Sequence, residues 1–192
     1  GVRPLNLAQT GSVPSDAAVV VIAGPTRNMA LVEFDVLDAW IKDGGRAIFL
    51  LDPPVPNSFR ALLEPWGLAV GDATLVDAGS SLFGDARSPL IQSGQYVEGI
   101  PITRDLDTTL LPRSTPIEIA LAQEKIPPWV QYTPLATTTS LSWKTTDPSR
   151  DTFEPDAGDI LGPYMVALTV HACGVVGEEV DWTLVPGGRS LG

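Results

Sequence analysis

The sequence predicts a single α/β domain: an open, mostly parallel sheet flanked by helices, with an irregular Pro-rich β excursion in its second half. Three observations predict it. The apolar runs at 17–23 and 47–51 lack the alternation of half-exposed strands, and such continuous runs belong to parallel sheets covered on both faces. An amphipathic helical stretch separates them. Up to residue 80, strand and helix signals then alternate, which is the order of an open α/β sheet.

The first strand is "AAVVVIAGP" (17–25), closed by Gly24 and Pro25. A helix over about 30–43 follows, with Thr26 and Asn28 as candidate N-caps. Within it Phe34, Leu37, Trp40 and Ile41 share an arc of roughly 120°. Gly44 and Gly45 stop the helix, because glycine tolerates the positive φ just past a last turn. Arg46 leads into "AIFLLD", the second strand, through a crossover expected to be right-handed. A shorter helix over about 57–64 carries Phe59, Leu62, Leu63 and Trp66 at helical spacing, ended by Pro65 and Gly67. "LAV" (68–70) and "TLVDA" (74–78) are short strands on either side of a Gly71-Asp72 turn.

Beyond residue 80 prolines interrupt the pattern. "PIEIALA" (116–122) alternates with period two, and the Thr-rich "LATTTSLSW" (135–143) suits one partly exposed strand. Residues 147–159 form a polar loop. "YMVALTVHAC" (164–173) is a further buried strand, with "EVDWTLV" (179–185) as its hairpin partner. At 192 residues the chain suits one domain. Its α/β core covers about 13–80, the irregular β-rich part about 81–160, and the returning core strands about 161–192.

The charge narrows the partners. Twenty-three acidic residues against twelve basic ones give a net charge of −11, which a nucleic-acid backbone or an anionic membrane surface would repel. The single Cys173 excludes an intrachain disulfide. No run reaches the ~18 apolar residues of a membrane span. The chain starts at Gly1 with neither an initiator Met nor a signal pattern. It stops after "VPGGRSLG", where the earlier "DGGRAIFLLD" runs on into a strand. A piece of a longer protein lacking a final strand is expected; a polar tail is the plainer alternative.

Candidate binding residues gather where open α/β sheets hold ligands, beyond the carboxyl ends of the strands. Thr26 follows the first strand, Asp52 the second, and Asp77 ends "TLVD". Two aspartates there could hold a cation or work as acid and base in a small-molecule hydrolase. The plainer reading makes each a turn-former, since Asp side chains bond nearby backbone N–H groups. Trp129 and Trp143 lie in the irregular half and could line a sugar- or peptide-binding groove; Trp40 and Trp66 belong to the core.

No catalytic residue, metal set or cofactor is predicted. G-x-G-x-x-G after a strand, the phosphate loop G-x-x-x-x-G-K-[ST] and the G-x-S-x-G elbow are all missing. His171 and Cys173 lie two apart on one strand and share a face. A buried cysteine beside a hydrogen-bonded core histidine is the expected account of them, since zinc needs more ligands than two.

Several segments together carry a resemblance. "VPSDAAVVVIAGP", "LDAWIKDGGRAIFLLDP", "LLEPWGLAV", "LVDA", "GIPITRDL", "TTTSLSW" and "DILGPYMVALTV" occur in that order. The set resembles the GldG-like family of gliding-motility ABC-transport auxiliary proteins, although Ile100 stands where that family's H-P-I-T segment carries His. The resemblance implies a flavodoxin-like or class I glutamine-amidotransferase-like scaffold, shared with an intraflagellar-transport component. It further implies the extracytoplasmic domain of a membrane-anchored protein working beside an ABC permease and ATPase. The chain lacks the elbow cysteine of amidotransferase chemistry, so the resemblance is to a scaffold without that activity. The expected function is a non-catalytic auxiliary domain that binds a protein or a transported ligand.

Overall fold

The structure, a computed structural model, describes residues 1–82, 84–147 and 154–172. After a one-turn helix α1 (Leu7–Thr10), the chain forms β1 (Val20–Ala23), α2 (Leu31–Lys42) and β2 (Ala47–Leu50). The two strands lie side by side in parallel, from Val20 opposite Ala47 to Ala23 opposite Leu50. The expected helical arc also forms: Leu37 is buried, and Phe34, Trp40 and Ile41 are half-buried. Gly44 takes φ +92° just past the helix. At Gly45 the Trp40 indole occupies the space a β-carbon would need.

The start of α2 departs from expectation. Neither Thr26 nor Asn28 caps it; Ala30 is the N-cap residue, and its N–H donates to the Glu33 carboxylate at 3.0 Å. Asn28 instead serves the next helix, α3 (Asn57–Leu63). Ser58 N–H donates to Asn28 Oδ1 and Met29 N–H donates to Ser58 Oγ, each at 2.9 Å. This reciprocal clasp ties the loop after β1 to the first turn of α3.

α3 buries Phe59, Leu62 and Leu63 as its spacing predicts. A 3-10 turn over Glu64–Trp66 follows, closed by Gly67 at φ +71°. Tyr132 donates its hydroxyl to the Trp66 carbonyl at 2.7 Å, and burial raises the Tyr132 pKa above the ordinary phenol value. A β-carbon on Gly67 would meet that hydroxyl and sit 2.6 Å from Leu121 Cδ1. Gly67→Ala is therefore expected to cost about 2–4 kcal/mol in urea unfolding, combining left-handed backbone strain with overpacking. Gly44→Ala, with positive φ but open space around it, should cost only the strain, about 1–2 kcal/mol.

The expected open parallel sheet, flavodoxin-like or amidotransferase-like, does not form. The remaining strands are β3 (Leu68–Val70), β4 (Thr74–Asp77), β5 (Ser81–Leu82), β6 (Asp85–Gln92), β7 (Thr108–Leu110), β8 (Ile117–Ile119), β9 (Val130–Thr137), β10 (Ser142–Thr145) and β11 (Met165–Ala172). Among the described residues, parallel pairing is confined to β1 and β2. β3 pairs with β8, β4 with β10, β9 with β11, and β5–β6–β7 form a three-stranded sheet, all antiparallel. The physical reason is the lack of helical crossovers after α3: parallel neighbours need a long crossover, whereas Pro-broken connections return the chain antiparallel. The predicted 135–143 strand is likewise two strands, with β9 ending at Thr137 and β10 starting at Ser142. β11 pairs with β9. The stretch 179–185 lies outside the described residues.

Val55, Phe59, Leu63, Leu68 and Val70 form the main core, and Ile22, Phe49, Leu168 and Val170 pack against it. A second cluster holds Val76, Ala86 and Trp143. β1 and β2 were expected to be covered on both faces. Only the face bearing Ile22 and Phe49 packs inward, while Val21 is 55% exposed, Ile48 46% and Leu50 56%.

Lys144 on β10 crosses to β8, its Nζ 2.7 Å from Glu118 Oε1, and sits 5.5 Å from the centre of the Tyr164 ring. The hydrogen bond to Glu118 holds the Lys144 pKa above the ordinary lysine range. A raised folded pKa means the stabilisation is complete below the unfolded pKa of about 10.4 and is lost as pH rises through the folded value. Because Glu118 is exposed and Lys144 is half-open to water, Glu118→Gln should cost under about 1 kcal/mol at neutral pH. It should also lower the Lys144 pKa, as followed by NMR of its side chain, and the difference in stability should shrink above pH ~10.4.

Candidate functional site

The carboxyl edge of β1 and β2 brings part of the predicted constellation together. Gly24 ends β1 at φ +56°, and a β-carbon there would stand 3.6 Å from Asp52 Oδ2. Asp52 is exposed just past β2, and Thr26 is exposed just past Gly24. The Asn28–Ser58 clasp holds this loop in place. The edge thus presents a solvated carboxylate and a threonine beside a left-handed glycine.

Asp77 belongs elsewhere. It ends β4, in the sheet shared with β10, and is 0% exposed. Oδ1 accepts from Gly79 N–H at 3.0 Å and from the Thr139 hydroxyl at 2.5 Å, and Oδ2 accepts from Thr139 N–H at 2.8 Å. Its oxygens are committed to the nearby Gly79 N–H and to both the N–H and the hydroxyl of the distant Thr139. Asp52 and Asp77 sit at the ends of strands in two different sheets, one open to water and the other sealed.

Around Asp77, three of the segments behind the resemblance converge. "LVDA" supplies Asp77, "TTTSLSW" supplies Thr138, Thr139 and Ser142, and "DILGPYM" supplies Gly162 and Tyr164. The Thr138 and Ser142 hydroxyls are 2.6 Å apart. Tyr164 N–H donates to Thr138 Oγ1 at 2.8 Å, and Thr138 N–H donates to the Tyr164 carbonyl at 2.9 Å. Gly162 N–H donates to the Ser142 carbonyl at 2.7 Å, and Ser142 Oγ donates to the Thr139 carbonyl at 2.8 Å. A β-carbon on Gly162 would lie 2.6 Å from that Thr139 carbonyl oxygen. Buried polar groups survive only when bonded in this way. Sequence reasoning missed Thr138, Thr139 and Ser142; their density of hydroxyls was the available signal, and it suggested only a partly exposed strand.

Trp129 is half-buried immediately before β9. Trp143 is 2% exposed, packed with Val76 and Ala86, so it presents no surface to a ligand and the two tryptophans do not line one groove. His171, expected in the core, is exposed on β11, and Cys173 lies outside the described residues. Among the described residues, no three His, Cys, Asp or Glu side chains gather to hold a metal. No helix among them is long and apolar enough to cross a membrane.

Among solved structures, the chain is similar to one titled "mmIFT52 N-terminal domain", with 18% identity and a TM-score of 0.51. That likeness covers 67% of this chain and 55% of the other, and at this identity it concerns the fold alone. None of the curated proteins matches this chain. The auxiliary-component family described as "ABC-type uncharacterized transport system" matches residues 1–172. With nearly its whole length matched, the chain belongs to that family of ABC-transport auxiliary components.

Proposed function

We propose that the chain is a non-catalytic binding domain on the extracytoplasmic face of the cell membrane, serving an ABC permease and its ATPase in a GldG-like gliding-motility or secretion system. The family match over residues 1–172 carries this reading. The ordered segments from "VPSDAAVVVIAGP" to "DILGPYMVALTV" support the GldG-like assignment. The burial and bonding of Asp77 support a non-catalytic role, because the alternative acid–base pair of Asp52 and Asp77 then has one member sealed from any substrate. The open apolar face of Val21, Ile48 and Leu50 is the kind of surface that partner-binding domains carry.

The test is affinity capture of the full-length protein from detergent-solubilised membranes of its own cell. An ABC permease and its ATPase are expected to co-purify. Their absence from the captured material, with the protein itself intact, overturns the reading. Protease treatment of intact cells should cleave the domain if it faces outward and spare it if it faces the cytoplasm.

A further inference from the structure

A cavity of about 170 Å³ opens where β6, β7, β9 and β11 meet. Its floor exists because two small residues face each other: Ala136 on β9 pairs with Ala167 on β11, and the register of β11 shifts on either side of Ala167. A larger side chain at either position would fill the space. Ile91, Leu135 and Val166 are among its walls, and the partly exposed Ile102 and Leu106 form its rim. Both rim residues come from the "GIPITRDL" segment, so this part of the sequence has a place in the structure that the polar knot around Asp77 does not explain.

The polar groups at the cavity are already engaged. Tyr96 donates its hydroxyl to Thr109 Oγ1 at 2.6 Å, and the Thr103 hydroxyl donates to the Ile100 carbonyl at 3.3 Å. The pocket is partly open to solvent past its exposed rim, but its lining is almost wholly apolar and offers water few of the two to four polar partners that an ordered water needs. A charged or hydrogen-bonding guest would lose hydration on the side facing these walls with little compensation.

We propose that this cavity is a binding site for one small apolar group, either a single aromatic ring or a branched alkyl chain of comparable size. The volume sets the size limit, the apolar lining sets the polarity, and the exposed Ile102 and Leu106 mark the side open to solvent. The site stands apart from the transport assignment, so its test involves no permease.

The test titrates the protein with benzene while following the methyl resonances of Ile91, Ile102 and Leu135 by NMR, with benzoate as the charged counterpart. Benzene is expected to move these methyls saturably, and benzoate to bind at least tenfold more weakly. Ala167→Leu should abolish the benzene response while the rest of the methyl spectrum is preserved. Ala136→Val provides a milder filling variant should Ala167→Leu fail to fold. The proposal is overturned by absence of a saturable benzene response in the unmodified protein, by its persistence in a folded filled variant, or by equal binding of benzoate.

Discussion

Trp143→Ala should lower the free energy of unfolding by about 3–5 kcal/mol, the range for deleting a large buried aromatic. The side chain stands on β10 with Val76 opposite it on β4 and Ala86 of β6 against it. At 2% exposure it has no route to relax into solvent, so truncation leaves a void lined by two sheets. A domain with 5–15 kcal/mol in total can lose most of its stability in this way. Trp143→Phe retains a ring and should cost less, about 1–3 kcal/mol. Urea unfolding followed by circular dichroism measures both. A loss below about 1 kcal/mol for the alanine variant would place the side chain outside the core and reopen it as a ligand contact.

Asp77→Ala is the second large effect. It removes the acceptor for Gly79 N–H, Thr139 N–H and the Thr139 hydroxyl in one step. A buried donor left without a partner costs about 1–3 kcal/mol; Gly79 is exposed and Thr139 half-buried, so water takes up part of the loss and a total of about 2–3 kcal/mol is expected. Asp77→Asn should fall between the variant and the parent. Its carbonyl can stand in for Oδ1, but its amide would then face the Thr139 N–H, donor against donor. A residue working on a substrate shows the opposite pattern: its conservative variant keeps stability and loses activity or binding. Thermal melting and urea midpoints for the two variants separate these cases.

Local periodicity made the helices legible. The arc through Phe34, Leu37 and Ile41, and that through Phe59, Leu62 and Leu63, need only neighbours three and four positions away. The parallel neighbours β1 and β2 were legible for a related reason, since one short helix joins them. The uncovered face was not. A continuous apolar run looks the same whether one face or both are packed, and Val21, Ile48 and Leu50 are as apolar as Ile22 and Phe49. Strand direction was equally hidden: Leu68 finds Ile119, and Thr74 finds Thr145, pairings that no local pattern announces. At the candidate site, Asp52 was placed correctly at the carboxyl edge because it follows its strand directly. The fate of Asp77 depends on Thr139, and that of Asn28 on Ser58, so both were visible only as turn or cap formers without an address.

The distance along the chain between Asp77 and Thr139, sixty-two positions, has a consequence for biosynthesis. A ribosome adds about 5–20 residues per second, so Asp77 emerges roughly 3–12 s before its partner. During that interval β4 has neither β10 nor the hydroxyl knot, and its apolar side chains remain open to chaperones or to neighbouring nascent chains. β4 is thus committed to waiting before it can be sealed.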